Sequence, residues 1–337
     1  MRRRTVFTGA AATAAAAATL LPSGGFAQAK TQTINMQLGW LASNNNIGEV
    51  VAKQLGYFEE EKLSVAIQPG GPSIDGVAIV ASGRCEIGQV SSSPSLMLAA
   101  SQKIPVKCFA TGLQQHPYTF FSLEKKPIRA PQDMVGKKIG IQATGKILLT
   151  ALLKKHKIPE KDVEVVVIGS DFAPLLTGQT DAVTGWLTST TAIKALGQPP
   201  VTLRLWDAGV QLYALPLYAT KDTIEKKPQM LAGFLKAMAR GYAYAQKEPE
   251  KAADLLIKEY PNFKRDDELA GLKVLLSFAF NANTKTNGWG AFDPAVWQDQ
   301  ITLYDELKQF TAGAPKLDDV ITTSILDATK DARPKLG

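Results

Sequence analysis

Between Ile34 and Gly71 the spacing of apolar residues changes once. Ile34, Met36 and Leu38 alternate with polar residues as in a half-buried strand, and Ile47, Val50, Val51 and Leu55 then recur at helical spacing. This change of period from two to 3.6 predicts a strand–helix–strand unit, the opening of an α/β fold. The loop between strand and helix, Gly39 to Asn46, holds Trp40, Ser43, Asn44, Asn45 and Asn46. In open α/β sheets ligands lie beyond the carboxyl ends of strands, where helix N-termini offer free amides. An aromatic face beside several amide groups therefore makes this loop the first candidate binding site.

The same rhythm continues. Pro69-Gly70-Gly71-Pro72 turns the chain, Ser73 caps a helix to about Gly83, and Glu86 to Val90 reads as a strand. Ser91, Ser92 and Ser93 precede Pro94 at the start of a helix over Ser95 to Gln102, the usual order of cap and first-turn proline. Val106 to Thr111 continues the sheet, and Tyr118 to Leu123 reads as an extended connector. A second block follows, with strands at Lys138 to Gln142, Val163 to Ile168, Thr180 to Gly185 and Val201 to Leu205, a helix over Ile147 to Lys157 and a short one at Pro174 to Leu176. Gln211 to Thr220 reads as the return connector, with Tyr213 within it. Helices are then expected at Met230 to Gln246, Pro249 to Tyr260, Glu268 to Phe280 and Pro294 to Phe310, packed back on the first block. The pattern predicts two α/β lobes: residues 30–120 with 214–337 as one, 121–213 as the other.

Composition adds the compartment. Residues Met1 to Ala29 have a basic start at Arg2, Arg3 and Arg4, an alanine-rich apolar stretch to Leu21, and the small-x-small ending Ala27-Gln28-Ala29. This is the order of a signal peptide cleaved before Lys30, and the arginines loosely match a twin-arginine leader. The expectation is a soluble periplasmic protein. The whole chain of 337 residues has 38 basic and 31 acidic residues, and without the leader the excess falls to +4. That mild balance, with no basic run interleaved by aromatics, argues against nucleic acid as a partner. Cys85 and Cys108 each sit in or beside an expected strand, so pairing and burial as free thiols both stay open.

No motif for catalysis stands out. The two histidines, His116 and His156, have no metal-site spacing, and neither cysteine has a histidine beside it in sequence. Gly140 to Lys146 approaches a phosphate-binding loop, yet Ile147 stands where Ser or Thr would hold magnesium. The geometry of a strand followed by a helix start still leaves Gln142, Thr144 and Gly145 as candidates for the second half of a cleft.

Taken in order, Leu38-Gly39-Trp40, Lys53 to Phe58 with Leu63, Pro69-Gly70-Gly71, Ser82 to Gly88, Val135 to Gly140 and Leu175 to Ala182 resemble the substrate-binding proteins of ABC importers. The resemblance is to the group that binds nitrate, taurine, sulfonates or the thiamine pyrimidine precursor. It covers nearly the whole chain after the leader. It implies a two-lobed periplasmic-binding-protein fold of type II, each lobe a mixed sheet flanked by helices, that closes on its ligand. The partners it implies are a membrane permease and ATPase; the protein itself would be a monomer without cofactor. By position, the ligand contacts implied are Trp40, Asn45, Asn46, Ser91, Ser92 and Ser93 from one lobe and Gln142, Thr144, Gly145, Trp186 and Thr188 from the other. Tyr118 and Tyr213, in the connectors, would line the cleft or seal it. Fungal pyrimidine synthases share the fold, but the first loop here has no histidine and the chain carries a leader, so the expectation is a binding protein and not an enzyme.

Trp40 and Trp186 end strands in opposite lobes, beside Asn45, Asn46, Thr144 and Thr188. That pairing predicts a small, flat, polar heterocycle of pyrimidine type, held by stacking and hydrogen bonds. The alternative is an anion such as a sulfonate or nitrate, seated on Ser91 to Ser93 and Thr144. Trp289 and Trp297 are expected to pack helices.

Overall fold

The computed structural model describes residues 31–337 together with Met1 and Thr5. The leader and its cleavage site thus lie outside the described residues. Among the described residues ten strands form two five-stranded sheets. The first sheet contains β1 (Gln32–Gln37), β2 (Leu63–Gln68), β3 (Ile87–Gln89) and β4 (Val106–Leu113). The second contains β5 (Tyr118–Ser122), β6 (Lys138–Ile141), β7 (Glu164–Val167), β8 (Ala182–Trp186) and β9 (Val201–Arg204), and β10 (Ala214–Thr220) returns to the first. Their orders are β2-β1-β3-β10-β4 and β7-β6-β8-β5-β9.

Each sheet has four strands running one way and one antiparallel strand, fourth in the order and paired on both sides. β1 runs parallel to β2 and β3, while β10 runs antiparallel to β3 and β4. Likewise β6 runs parallel to β7 and β8, while β5 runs antiparallel to β8 and β9. This corrects the reading of Tyr118 to Leu123 and of Gln211 to Thr220 as connectors. Their apolar runs are buried because both are interior strands: β5 pairs Tyr118 with Trp186 and Phe120 with Thr184, and β10 pairs Leu217 with Ala110. Among the described residues the chain passes between the sheets only through Gln114–Pro117 and Leu205–Tyr213.

Helices fill in as the apolar periodicity predicts, with ends shifted by a few residues. Pro228–Lys247 and Pro249–Glu259 pack on Ile47–Gln54 beside the first sheet. The approach is close because two glycines face each other: a Cβ on Gly48 would meet the Tyr242 ring, and one on Gly241 the Gly48 carbonyl. Tyr242 in turn stacks on the wholly buried Trp289, with centroids 4.2 Å apart. Trp297 is equally buried, against Tyr213 and Phe292, so both tryptophans belong to the core as expected. Cys85 and Cys108 are buried free thiols; Cys108 donates to the Ala110 carbonyl, and burial pushes its pKa up. Among the described residues no helix is long and apolar enough to cross a membrane.

Candidate functional site

Strand polarity brings the site together. β1, β2, β3, β6 and β8 all end towards one region, and the antiparallel β5 and β10 begin there, so Tyr118 and Leu215 reach it from the starts of their strands. Between the sheets lies a cavity of about 580 Å3. Trp40, Asn45, Asn46, Ser91 and Ser92 line it from the first sheet, and Tyr118, Gln142, Thr144, Gly145 and Trp186 from the second.

Three expected residues stand behind this wall. Ser93 is wholly buried and donates to Gln300 Oε1 at 2.6 Å. Thr188 is buried and donates to Asn45 Oδ1 at 3.3 Å, tying the two sheets' loops together. The Tyr213 hydroxyl accepts from the Asp293 N–H at 3.0 Å, and burial pushes its pKa up to about 12. For Ser93 and Thr188 the adjacent Ser92 and Ser189 occupy the wall instead, while Tyr213 packs on Trp297.

The three consecutive asparagines have separate tasks. Asn44 donates to Glu268 from both its N–H and its side chain, and its side chain also reaches the Thr188 carbonyl. Asn45 accepts from Thr188 through Oδ1, and its Nδ2 has no bond to any described residue. Asn46 accepts from the Ser43 N–H, closing a capping box over the turn before Ile47–Gln54.

Gln142 lines the cavity, but its bonds are spent internally. Nε2 donates to the Gly169 and Thr184 carbonyls at 3.0 and 2.9 Å, and Oε1 accepts from Thr184 Oγ1 at 3.2 Å. Gly145, at the start of helix Lys146–Lys155, leaves room for the Tyr118 hydroxyl, on which a Cβ would land. That hydroxyl has no partner among the described residues, and burial pushes its pKa up, keeping the phenol neutral.

His116, in the first crossover, is wholly buried beneath the cavity floor. Its Nδ1 accepts from the Tyr118 N–H at 3.2 Å, and its Nε2 lies 2.5 Å from Ser92 Oγ. Burial lowers its pKa to about 3, so the ring is neutral, and because Nδ1 accepts from Tyr118 the proton is assigned to Nε2. Nε2 then donates to Ser92, whose own hydroxyl proton is left to point elsewhere. The ring also meets Trp186 edge-on, 5.2 Å between centroids, and so supports that indole from below.

Sequence reasoning missed Asp75 and Gln89. Asp75 follows β2 and caps helix Gly76–Ala81 through the Ala78 N–H at 3.0 Å. The rule that singled out Gly39 to Asn46 would have found it, since the loop after β2 ends at the same cavity. Gln89, on β3, donates to the buried Glu49 at 2.9 Å, a pairing that no local signal announces. Among the described residues Asp75 is the only charged one in the lining; no described lysine, arginine or histidine takes part.

Among solved structures, the periplasmic aliphatic sulphonate binding protein SsuA from Escherichia coli superposes with a TM-score of 0.63 at 17% identity, covering 86% of this chain and 92% of that one. The chain therefore has the periplasmic-binding-protein fold. A formylaminopyrimidine-binding protein of Halalkalibacterium halodurans is 26% identical over 285 residues, 81% of this chain and 85% of that protein. A 4-amino-5-hydroxymethyl-2-methylpyrimidine phosphate synthase of Legionella pneumophila is 27% identical over 238 residues, 68% and 75% of the two chains. That relative overturns the expectation that the chain is not an enzyme. A synthase and a binding protein thus match it at similar identity, 27% and 26%. The family model described as NMT1/THI5 like matches residues 43–252. With more than half its length matched, the chain belongs to the NMT1/THI5-like family.

Proposed function

We propose that the cavity captures a small neutral heterocycle of the aminopyrimidine class. The observation that carries this reading is the lining: one tryptophan from each sheet, amide and hydroxyl groups, a single carboxylate, and no cation. A sulfonate or nitrate would be desolvated beside Asp75 without a fixed positive charge, which is costly. An aminopyrimidine meets the same groups well, because it offers N–H donors to Asp75 and Gln89 and ring-nitrogen acceptors to Asn45 and Ser92. The pyrimidine named for the two relatives supports the reading.

Trp40 and Trp186 would sandwich the ring, with the two lobes, one built on each sheet, closing on it. Stacking supplies about 0.5 to 1.5 kcal/mol per aromatic pair beyond area burial. A micromolar affinity needs about 8 kcal/mol, so hydrogen bonds and expelled water carry the rest. The basic, alanine-rich leader supports export, and the fold supports delivery of the ligand to a membrane permease and ATPase by a monomer.

Calorimetric titration with formylaminopyrimidine, 4-amino-5-hydroxymethyl-2-methylpyrimidine, ethanesulfonate and nitrate tests the proposal, with mass spectrometry of the recovered ligand to score any conversion. The pyrimidines should bind, and Trp40→Ala should weaken them about tenfold, the equivalent of 1.4 kcal/mol. Binding of the anions alone, or full pyrimidine affinity in Trp40→Ala, would overturn it.

A further inference from the structure

Glu49 is a carboxyl group with no place in the site as described. It sits in the first turn of helix Ile47–Gln54, is wholly buried, and lies directly behind the cavity wall. Its Oε1 accepts from Gln89 Nε2 at 2.9 Å, while its Oε2 has no partner among the described residues. The Asn46 side chain stands close enough to favour its charged form. Gln89 and Asn46 both line the cavity. Gln89 Oε1 receives no bond from any described residue, so the Gln89 amide has one end committed to Glu49 and the other available to a ligand.

We propose that Glu49 is a positioning residue that selects which end of the Gln89 amide faces the ligand. As a carboxylate it accepts from Nε2 and turns the Gln89 carbonyl to the cavity. As a carboxylic acid its own O–H donates to Oε1, and the amide turns over to present its NH2. One proton on Glu49 thus converts an acceptor in the ligand wall into a donor, with the proton exchanged with solvent.

The surroundings permit this exchange near neutrality. Burial raises the carboxyl from its usual 4.5 to about 7, opposed in part by its own backbone N–H, by the Gln89 bond and by the nearby Asn46 side chain. The titratable groups facing it from the packed helices are Tyr242, on Pro228–Lys247, and Tyr260, after Pro249–Glu259. Both phenols are held above their ordinary range, Tyr260 at about 12, and stay neutral where Glu49 titrates. Lys53, one turn on, is paired with Glu259, and no cation contributes to the Glu49 shift.

The inference that this proton tunes affinity rests on the cavity being the ligand site. A ligand that offers an amino group to Gln89 favours the carboxylate, so its affinity rises with pH through neutrality and its binding releases protons.

The first test needs no ligand. The side-chain NH2 resonances of Gln89, identified by their loss in Gln89→Leu, should titrate near pH 7 in the intact protein. They should be independent of pH in Glu49→Gln. Resonances that do not move between pH 5.5 and 8.5, or that move equally in Glu49→Gln, would overturn the proposal.

The second test is calorimetric titration with formylaminopyrimidine over the same pH range. Affinity should rise about two- to tenfold, the range of one hydrogen bond, and the rise should be absent in Glu49→Gln. The ligand's own titration is common to both proteins and cancels. A parallel rise in both would refute the tuning of affinity. Absence of binding at every pH would instead overturn the cavity reading, leaving the resonance test to decide the role of Glu49.

Discussion

Gln142 and Trp40 both line the cavity, yet their side chains are differently placed to meet a ligand. The amide of Gln142 is saturated by Gly169 and Thr184, so its main task is to fix the turn after β6 against β8. Gln142→Ala removes a donor from the Thr184 carbonyl and from the exposed Gly169 carbonyl, while Thr184 Oγ1 keeps the Gly140 carbonyl, and it should cost about 0.5 to 1.5 kcal/mol of stability. Its folded form should lose much less heterocycle affinity than Trp40→Ala. Urea denaturation and calorimetry separate the two effects; a large affinity loss with full stability would make Gln142 a direct contact. The asparagines teach the same lesson in reverse, since three identical side chains in a row serve a bond to Glu268, a bond between sheets, and a helix cap. Their identity was legible in sequence, but the division of labour depends on partners up to 224 residues away.

At the scale of elements, the shared direction of the strand ends assembles the cavity, and the fit of one helix pair supports its first loop. Gly241→Ala places a methyl group against the Gly48 carbonyl, and the surrounding Tyr242–Trp289 stack leaves it little room to shift. Overpacking of this kind should cost about 1 to 3 kcal/mol. Thermal or urea melts read it directly, and a variant of unchanged stability would mean that the helices separate at no cost. Most helices and strands could be read from apolar period alone. β5 and β10 could not be told from connectors, because a continuous apolar run fits any buried extended segment. Only their pairing on both sides shows that they are interior strands.

For the whole molecule, two buried titratable groups oppose each other. Glu49 is raised from 4.5 to about 7, so the folded state holds a proton that the unfolded state has lost; its stabilisation is full below pH 4.5 and lost as pH rises through 7. His116 is lowered from 6.5 to about 3, so its contribution is full above pH 6.5 and lost as pH falls towards 3. Each slope is about 1.4 kcal/mol per pH unit. They cancel between pH 4.5 and 6.5, and below 4.5 the loss from His116 stands alone. Stability curves from pH 3.5 to 8 should therefore show Glu49→Gln gaining on the parent protein as pH rises from 4.5 to 7. The advantage of the parent over His116→Gln should shrink as pH falls from 6.5. Differences that ignore pH would mean that neither group titrates differently on folding.

The sequence by itself determined the periodic elements, the loops rich in tryptophan, asparagine and serine at strand ends, and the likeness that placed the chain in its fold. Those features are local, or lie in a fixed order along the chain, and hydrophobic period and helix capping act over a few residues. Tertiary structure alone decided that β5 and β10 are interior strands, that Ser93, Thr188 and Tyr213 turn away from the cavity, and that Glu49 and His116 lie buried behind it. In sequence Glu49 reads as an ordinary polar helix residue and His116 as a turn residue beside Pro117. Their chemistry comes from desolvation and from partners brought together by strand order, which depends on long-range pairing and leaves no local trace.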